Sequence, residues 1–233
     1  MRALVHGNVI HLARHLEYGA NGVYLDAGVS AVTVEQNLVV DTGASAIYSH
    51  CGSNNSIRGN IFARNNMQDG RAAFQGCDES GVGEWMSGQA TTATNNVILV
   101  TKGSLAAIAG GTPITMAWAR FANTTRFGSN LYSSAHPTEL KFPPGVSFTQ
   151  WRRQSAEDQS SVVTDVAGAG FVNASAFDFR LRPDSVARTK LRAVGPRYSA
   201  VGPRKTPQLL RLRPPPCVFA RYPFVTAPCT TVS

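Results

Sequence analysis

The sequence predicts an all-β chain wound as a parallel β-solenoid, and three observations carry that expectation. A frame consisting of an apolar residue, two spacers, an asparagine and two further apolar residues occurs five times. Its asparagines, Asn8, Asn37, Asn60, Asn96 and Asn130, follow one another at intervals of 29, 23, 36 and 34 residues, so a rung of about 23 residues recurs with insertions. Charged residues make up only 15% of the chain and apolar residues 43%, the balance expected where Asn, Ser and Thr clothe sheet faces. A repeat of this length marks stacked supersecondary units, none of which can bury its apolar face alone.

The asparagine itself supports the same architecture. Equivalent positions of a solenoid stack one strand spacing apart, about 4.8 Å. An amide side chain carries donors on one atom and an acceptor on the other, so stacked asparagines can bond up and down a column and satisfy polar groups inside a turn. An asparagine that merely opens a loop explains one copy well and five copies in one apolar frame poorly. In such a column Asn60 has neighbours on both sides and Asn130 stands last, so Asn60 is expected to matter more for stability.

Along the chain, Val5 to Ile10 forms the first copy of the frame, followed by Gly22-Val23-Tyr24-Leu25-Asp26 as the remaining strand of that rung. Val34 to Val39 and Ala46-Ile47-Tyr48-Ser49-His50 make the second rung. Ile57 to Phe62 and Arg71-Ala72-Ala73-Phe74-Gln75 make the third, and the frames at Ala93–Ile98 and Phe127–Tyr132 continue the stack. The first copy starts in mid-rung at Val5, with no capping segment ahead of it. A bare end rung exposes open strand edges, so the expectation is the C-terminal part of a longer solenoid, or a shortened homologue.

These residues resemble the right-handed parallel β-helix repeat proteins of the pectin-lyase-like superfamily. The resemblance is densest from Gly22-Val23-Tyr24-Leu25-Asp26 through Asn60-Ile61-Phe62-Ala63-Arg64-Asn65. A second stretch, Phe148-Thr149-Gln150-Trp151-Arg152, then Asp158, Ser160 and Ser161, then Asp178 to Ser185, is similar to the closing segment of bacterial-type β-helix proteins linked to polysaccharide breakdown. The matches cover about residues 5–187. The chain departs from the pattern at Asp165-Val166-Ala167 and Ser185-Val186-Ala187, where the family usually has Asp-Pro and Ser-Pro-Ala. The resemblance implies a right-handed parallel β-helix, N-terminally truncated, that interacts with polysaccharide in the manner of a glycoside hydrolase or polysaccharide lyase.

The net charge of +8 divides unevenly. Residues 188–233 hold nine Lys or Arg and no acid, and the first 187 residues hold thirteen basic and fourteen acidic groups, a net of −1. A near-neutral body with a basic end does not describe a nucleic-acid-binding domain. The basic stretch also contains eight prolines, so an irregular tail without regular structure is expected there, following a β-helix domain at residues 1–187. No run of 18 apolar residues exists, so no membrane span is predicted, and the short N-terminus does not read as a signal peptide. Localisation is therefore open, and extracellular only if a leader lies upstream. The four cysteines, Cys51, Cys77, Cys217 and Cys229, lack metal-ligand spacing, so neither a zinc site nor any cofactor is expected. Cys51 and Cys77 follow corresponding strands of adjacent rungs, and free thiols are the default for both. A monomer is expected.

Superposing the rungs on their asparagines selects one face. Val23 falls on Ile47, Tyr24 on Tyr48, Leu25 on Ser49 and Asp26 on His50. Strand alternation sends Val23 and Ile47 inward, and Tyr24, Tyr48, Asp26 and His50 outward. The next rung places Phe74 inward with Arg71 and Gln75 outward. Rings stack on sugar faces, and Asp, Arg and Gln bond hydroxyls or a uronate carboxylate. Tyr24, Tyr48, Arg71 and Gln75 are thus the candidate binding residues. Asp26 beside His50 favours the imidazolium and makes these two the candidate catalytic pair. The competing reading is an ordinary cross-strand ladder that only stabilises the sheet. His11, His15 and Glu17 form an insertion expected to loop beside Tyr24 rather than to bind a metal, and residues 69–89, with Trp85, form a second candidate wall. Two functions remain open: a carbohydrate-active enzyme of hydrolase or lyase type, and a non-catalytic carbohydrate-binding or structural solenoid. Either has a polysaccharide or oligosaccharide as its partner.

Overall fold

A computed structural model describes residues 3–11, 20–26, 28–49, 52–64, 72–76, 90–100, 104–108, 125–142 and 145–190. The first rung comprises β1 (Ala3–His6), β2 (Val9–His11) and β3 (Val23–Leu25); the second β4 (Val32–Glu35), β5 (Leu38–Val40) and β6 (Ile47–Ser49). The third holds β7 (Ser56–Arg58), β8 (Ile61–Ala63) and β9 (Ala72–Gly76), and the fourth β10 (Thr91–Thr94), β11 (Val97–Leu99) and β12 (Ser104–Ile108). β13 (Thr125–Gly128) and β14 (Leu131–Ser133) complete the stack, and β15 (Val162–Thr164) adds to it from the closing segment. They build three parallel sheets: β1-β4-β7-β10-β13, β2-β5-β8-β11-β14-β15 and β3-β6-β9-β12. This is the right-handed parallel β-helix expected from the sequence, since parallel crossovers take the right hand.

The register follows the repeated frame. Val5, Val34, Ile57, Ala93 and Phe127 stack in one column of the first sheet. Ile10, Val39, Phe62, Ile98 and Tyr132 stack in the second, and Val23, Ile47 and Phe74 in the third. These columns point inward and form the core. Its axis carries an aromatic series, Phe62 to Phe74 to Phe127, with edge-to-face rings 5.4 and 5.7 Å apart. Edge-to-face contact suits the ring quadrupoles and adds about 0.5–1.5 kcal/mol per pair beyond area burial. Gly22 is required where the third sheet begins, because a Cβ there would run into the Val39 side chain and the Ala46 carbonyl.

Each corner between the first and second sheets is made the same way. The residue before the asparagine is left-handed in all five rungs: Gly7, Gln36, Gly59, Asn95 and Ser129, with φ between 53° and 68°. Glycine adopts this conformation freely and Asn tolerates it, whereas Gln36 and Ser129 do so at some cost. The asparagine offsets that cost. In Asn37, the backbone N–H and Nδ2 both donate to Oδ1 of Asn60 at 3.0 Å, and Nδ2 also donates to the Val5 carbonyl at 2.9 Å. Asn60 repeats the pattern on Asn96 and the Val34 carbonyl, and Asn96 on Asn130 and the Ile57 carbonyl. Asn37, Asn60, Asn96 and Asn130 are wholly buried, and their amides are satisfied by this column.

Asn130 is not a bare end, contrary to the expectation from its position. Its backbone N–H donates to Ser161 Oγ at 2.8 Å, and its Nδ2 lies within bonding range of the Ala93 carbonyl, Tyr132 Oη and Asp158 Oδ1. The closing segment supplies Ser161 and Asp158 after helix α1 (Phe148–Ser155), which starts at a capping box of Ser147 and Gln150. Trp151 of α1 is buried over the end of the stack and donates its indole N–H to Asp158 at 2.9 Å. Glu157 stands in for a further strand of the first sheet: its carboxylate accepts the Phe127 N–H at 2.7 Å and pairs with Arg126 at 2.8 Å. Asp158 also accepts from Tyr132 and Ser161. Burial pushes its carboxyl above the ordinary value, a shift its hydrogen bonds oppose. The same burial, with the Asp158 charge beside it, pushes the Tyr132 phenol well up.

From here the chain turns back along the outside of the second sheet. Helix α2 (Val166–Ala169), strands β16 (Phe171–Asn173) and β17 (Asp178–Leu181), which pair antiparallel, and helix α3 (Val186–Thr189) follow in order. Phe171, Phe179, Leu181 and Ala187 pack on Leu38, Val40, Ile61, Val97, Leu99 and Leu131. This contact explains why β5, β8 and β11 are buried at every residue instead of alternating. The two departures from the family pattern leave the helix caps intact. Asp165 accepts the Gly168 N–H and Ser185 the Arg188 N–H, so valine replaces proline at the first helical position without loss of the cap. The basic tail from residue 191 onward and all four cysteines lie outside the described residues.

Two outcomes are expected from this end of the stack. Because Asn130 has as many partners as Asn60, Asn130→Leu should destabilise as much as Asn60→Leu, each by about 1–3 kcal/mol per buried group left unpaired. Asn8→Leu, with a neighbour on one side, should cost least; urea midpoints of the three variants check the order. The second concerns acid. A folded-state carboxyl raised above its unfolded value contributes stability that is complete below the ordinary carboxylate range and is lost as pH rises through the raised value. The stability of the wild type relative to Asp158→Asn should therefore fall from acid toward neutrality. A difference in melting midpoint that grows over that range would contradict it.

Candidate functional site

The outer face of the third sheet is built as the superposed rungs require. Tyr24 pairs with Tyr48 and Tyr48 with Gln75, while Val23, Ile47 and Phe74 take the inner positions. The two tyrosine rings lie 4.9 Å apart at a tilt of 46°. Their roles differ. Tyr24 is 41% exposed and Tyr48 only 4%. The ring expected as a second open platform is covered, in part by Tyr24 stacking on it from the neighbouring rung. Tyr24 therefore presents the surface and Tyr48 supports it.

Asp26 sits just past the end of β3 and is exposed, one alternation from Tyr24. His50 and Arg71 lie outside the described residues, as do His15, Glu17 and, apart from β9, the 69–89 insert with Trp85. Gln75 is placed by its backbone in register with Tyr48, and its side chain is not described. Of the six candidate residues, the structure thus brings Tyr24, Tyr48 and Asp26 together and sets the Gln75 backbone in the same column.

His11 lies elsewhere than beside Tyr24. It ends β2, on the second sheet, where its Nε2 is 3.4 Å from Asp41 Oδ2 and its ring meets the edge of Phe177 at 4.8 Å. Arg64 pairs with the same Asp41 oxygen at 2.8 Å and lies over the Phe177 ring at 4.3 Å. The histidine that pattern reading grouped with the sugar face instead helps anchor the closing segment. On the first sheet, His6, Glu35 and Arg58 form a polar row, with Arg58 2.7 Å and His6 3.3 Å from the Glu35 carboxylate. Sequence reading did not single these three out, although the position two residues before each of the first three ladder asparagines carries a titratable side chain. The row is an exposed cross-strand ladder worth about 0–1 kcal/mol per pair.

No curated protein matches the chain, and no solved structure does. The family model for the right handed beta helix region matches residues 3–142, a span that holds the asparagine column and every strand of the three sheets but β15. By that match and by its winding, the chain belongs to the right-handed β-helix family.

Proposed function

We propose that this β-helix recognises polysaccharide through the outer face of β3 and β6, with Tyr24 as the surface on which a sugar ring stacks. The reading is carried by one observation: an exposed tyrosine ring held 4.9 Å from a buried one, in register across two rungs. A ring fixed from beneath loses little freedom when a ligand stacks on it, which favours binding. Its apolar body suits the C–H face of a sugar while its hydroxyl remains at the polar edge. Asp26, exposed on the same side, accepts hydrogen bonds from hydroxyls. The sequence register adds Arg71, whose planar fork suits a uronate carboxylate, and Gln75 as an amide partner.

Catalysis is a second reading, favoured by the exposure of Asp26 beside the stacking surface. Asp26 and His50 would then act as the proton-transferring pair of a hydrolase or lyase. In the first reading the same residues only bind.

Binding of polygalacturonate and of a neutral glucan to the wild type, Tyr24→Ala and Asp26→Asn separates these possibilities. Tyr24→Ala should weaken binding about three- to tenfold, the loss expected for one stacked ring, with its urea midpoint near that of the wild type. Unchanged affinity in Tyr24→Ala would overturn the proposal. New reducing ends or unsaturated products, lost in Asp26→Asn, would assign catalysis; binding without either product assigns recognition alone.

A further inference from the structure

The closing segment that covers the second sheet also makes a groove of its own. Along β17 and the residue after it, Phe179 and Leu181 are buried while Arg180 and Arg182 are exposed, the alternation of an extended chain. Two positions of the same sign on one face lie about 6.5–7 Å apart. Helix α3 then brings Arg188 to the same place. Together these three arginines line a cavity of about 290 Å³, in which Val172 and Pro183 are the exposed apolar residues and the buried Ile61 and Leu181 complete the lining.

The three arginines are not equally committed. Arg180 is held by Asp178 through Nε and Nη2, and that contact keeps the Asp178 carboxyl below the usual carboxylate range. Arg182 meets Asp184 through Nε at 3.2 Å, with its Nη1 toward the Phe171 carbonyl. Arg188 has no acidic partner among the described residues, and Lys190 follows two positions later. The groove therefore carries three cationic forks against two carboxylates. Its apolar lining distinguishes it from a merely charged patch.

We infer that this groove is a second carbohydrate subsite, which takes one carboxylate-bearing sugar residue with its carboxylate on Arg188 and Arg182 and its C–H face on Val172 and Pro183. The volume suits a single ring, being at the lower edge of small-ligand sites. A guanidinium matches a planar carboxylate with two parallel hydrogen bonds. The inference rests on the reading of the chain as a binder of acidic polysaccharide, but on different residues.

The test uses the full chain and isothermal titration with a galacturonate trisaccharide, its methyl ester and sodium sulfate. Arg188→Gln should raise the trisaccharide Kd about tenfold or more, as expected for losing a charge-assisted bond. Arg182→Gln should act in the same direction. Both side chains are exposed, and a circular-dichroism melt confirms that the variants fold. The methyl ester should bind at least tenfold more weakly than the acid. Equal affinity for acid and ester, an unchanged Kd in Arg188→Gln, or sulfate competing as well as the trisaccharide would overturn the subsite. Polygalacturonate binding that depends on Tyr24 while the trisaccharide fails to bind sinks the groove and leaves the proposed function standing. Trisaccharide binding that depends on Arg188 while Tyr24→Ala leaves polymer binding unchanged supports the groove and removes the tyrosine face.

Discussion

The hydrogen-bonded asparagine column is the constraint from which the remaining structure follows. A chain that must turn sharply between two sheets leaves backbone groups at the corner without strand partners, and in a solenoid interior no water is present to take them. The buried amide solves this by accepting two N–H groups from the rung before and donating to the rung after and to a strand carbonyl behind it. Once that bond set is fixed, the register of each sheet is fixed as well, because a slip of one residue would turn every inward side chain outward. The inward columns, the edge-to-face phenylalanines and the stacked tyrosines all inherit their positions from it.

The column has a direction, and the closing segment answers to it. Donors run from each asparagine toward the next rung, so the last one needs acceptors rather than another amide. Ser161 and Asp158 meet that need, and Glu157 does the same for the neighbouring sheet edge. Placing a carboxylate inside an aromatic plug is unfavourable by itself, which is why its proton affinity is raised. Four donors from separate elements hold it there. An unpaired strand edge is thus closed by side chains that imitate a strand.

Much of this was legible before any coordinates. The repeated frame identifies the corner asparagines and predicts the stacking of Tyr24 on Tyr48, because an apolar-x-x-Asn spacing is a local property that survives insertions between rungs. The burial of Tyr48 was not legible, since alternation reports the side of a strand and not what covers it. The partners of Asn130 escaped for a related reason: Ser161 and Asp158 are 31 and 28 residues away and belong to no repeat. His11 was grouped with the wrong face because its loop was read by proximity in sequence to Tyr24. The double burial of Leu38, Ile61 and Val97 was hidden because a strand apolar on both faces looks the same whatever segment packs outside it.

The closing segment also changes what kind of object the stack is. Repeat arrays ordinarily couple only nearest neighbours, so either end can fray without the other. Here one stretch of chain touches Leu38, Ile61, Val97 and Leu131 together, and reaches back as far as Asp41-bound Arg64 and the ring of His11. Opening an early rung therefore disturbs the packing of the last one. A strut across the rungs gives the part of a one-dimensional array that it spans the cooperativity of a globular core.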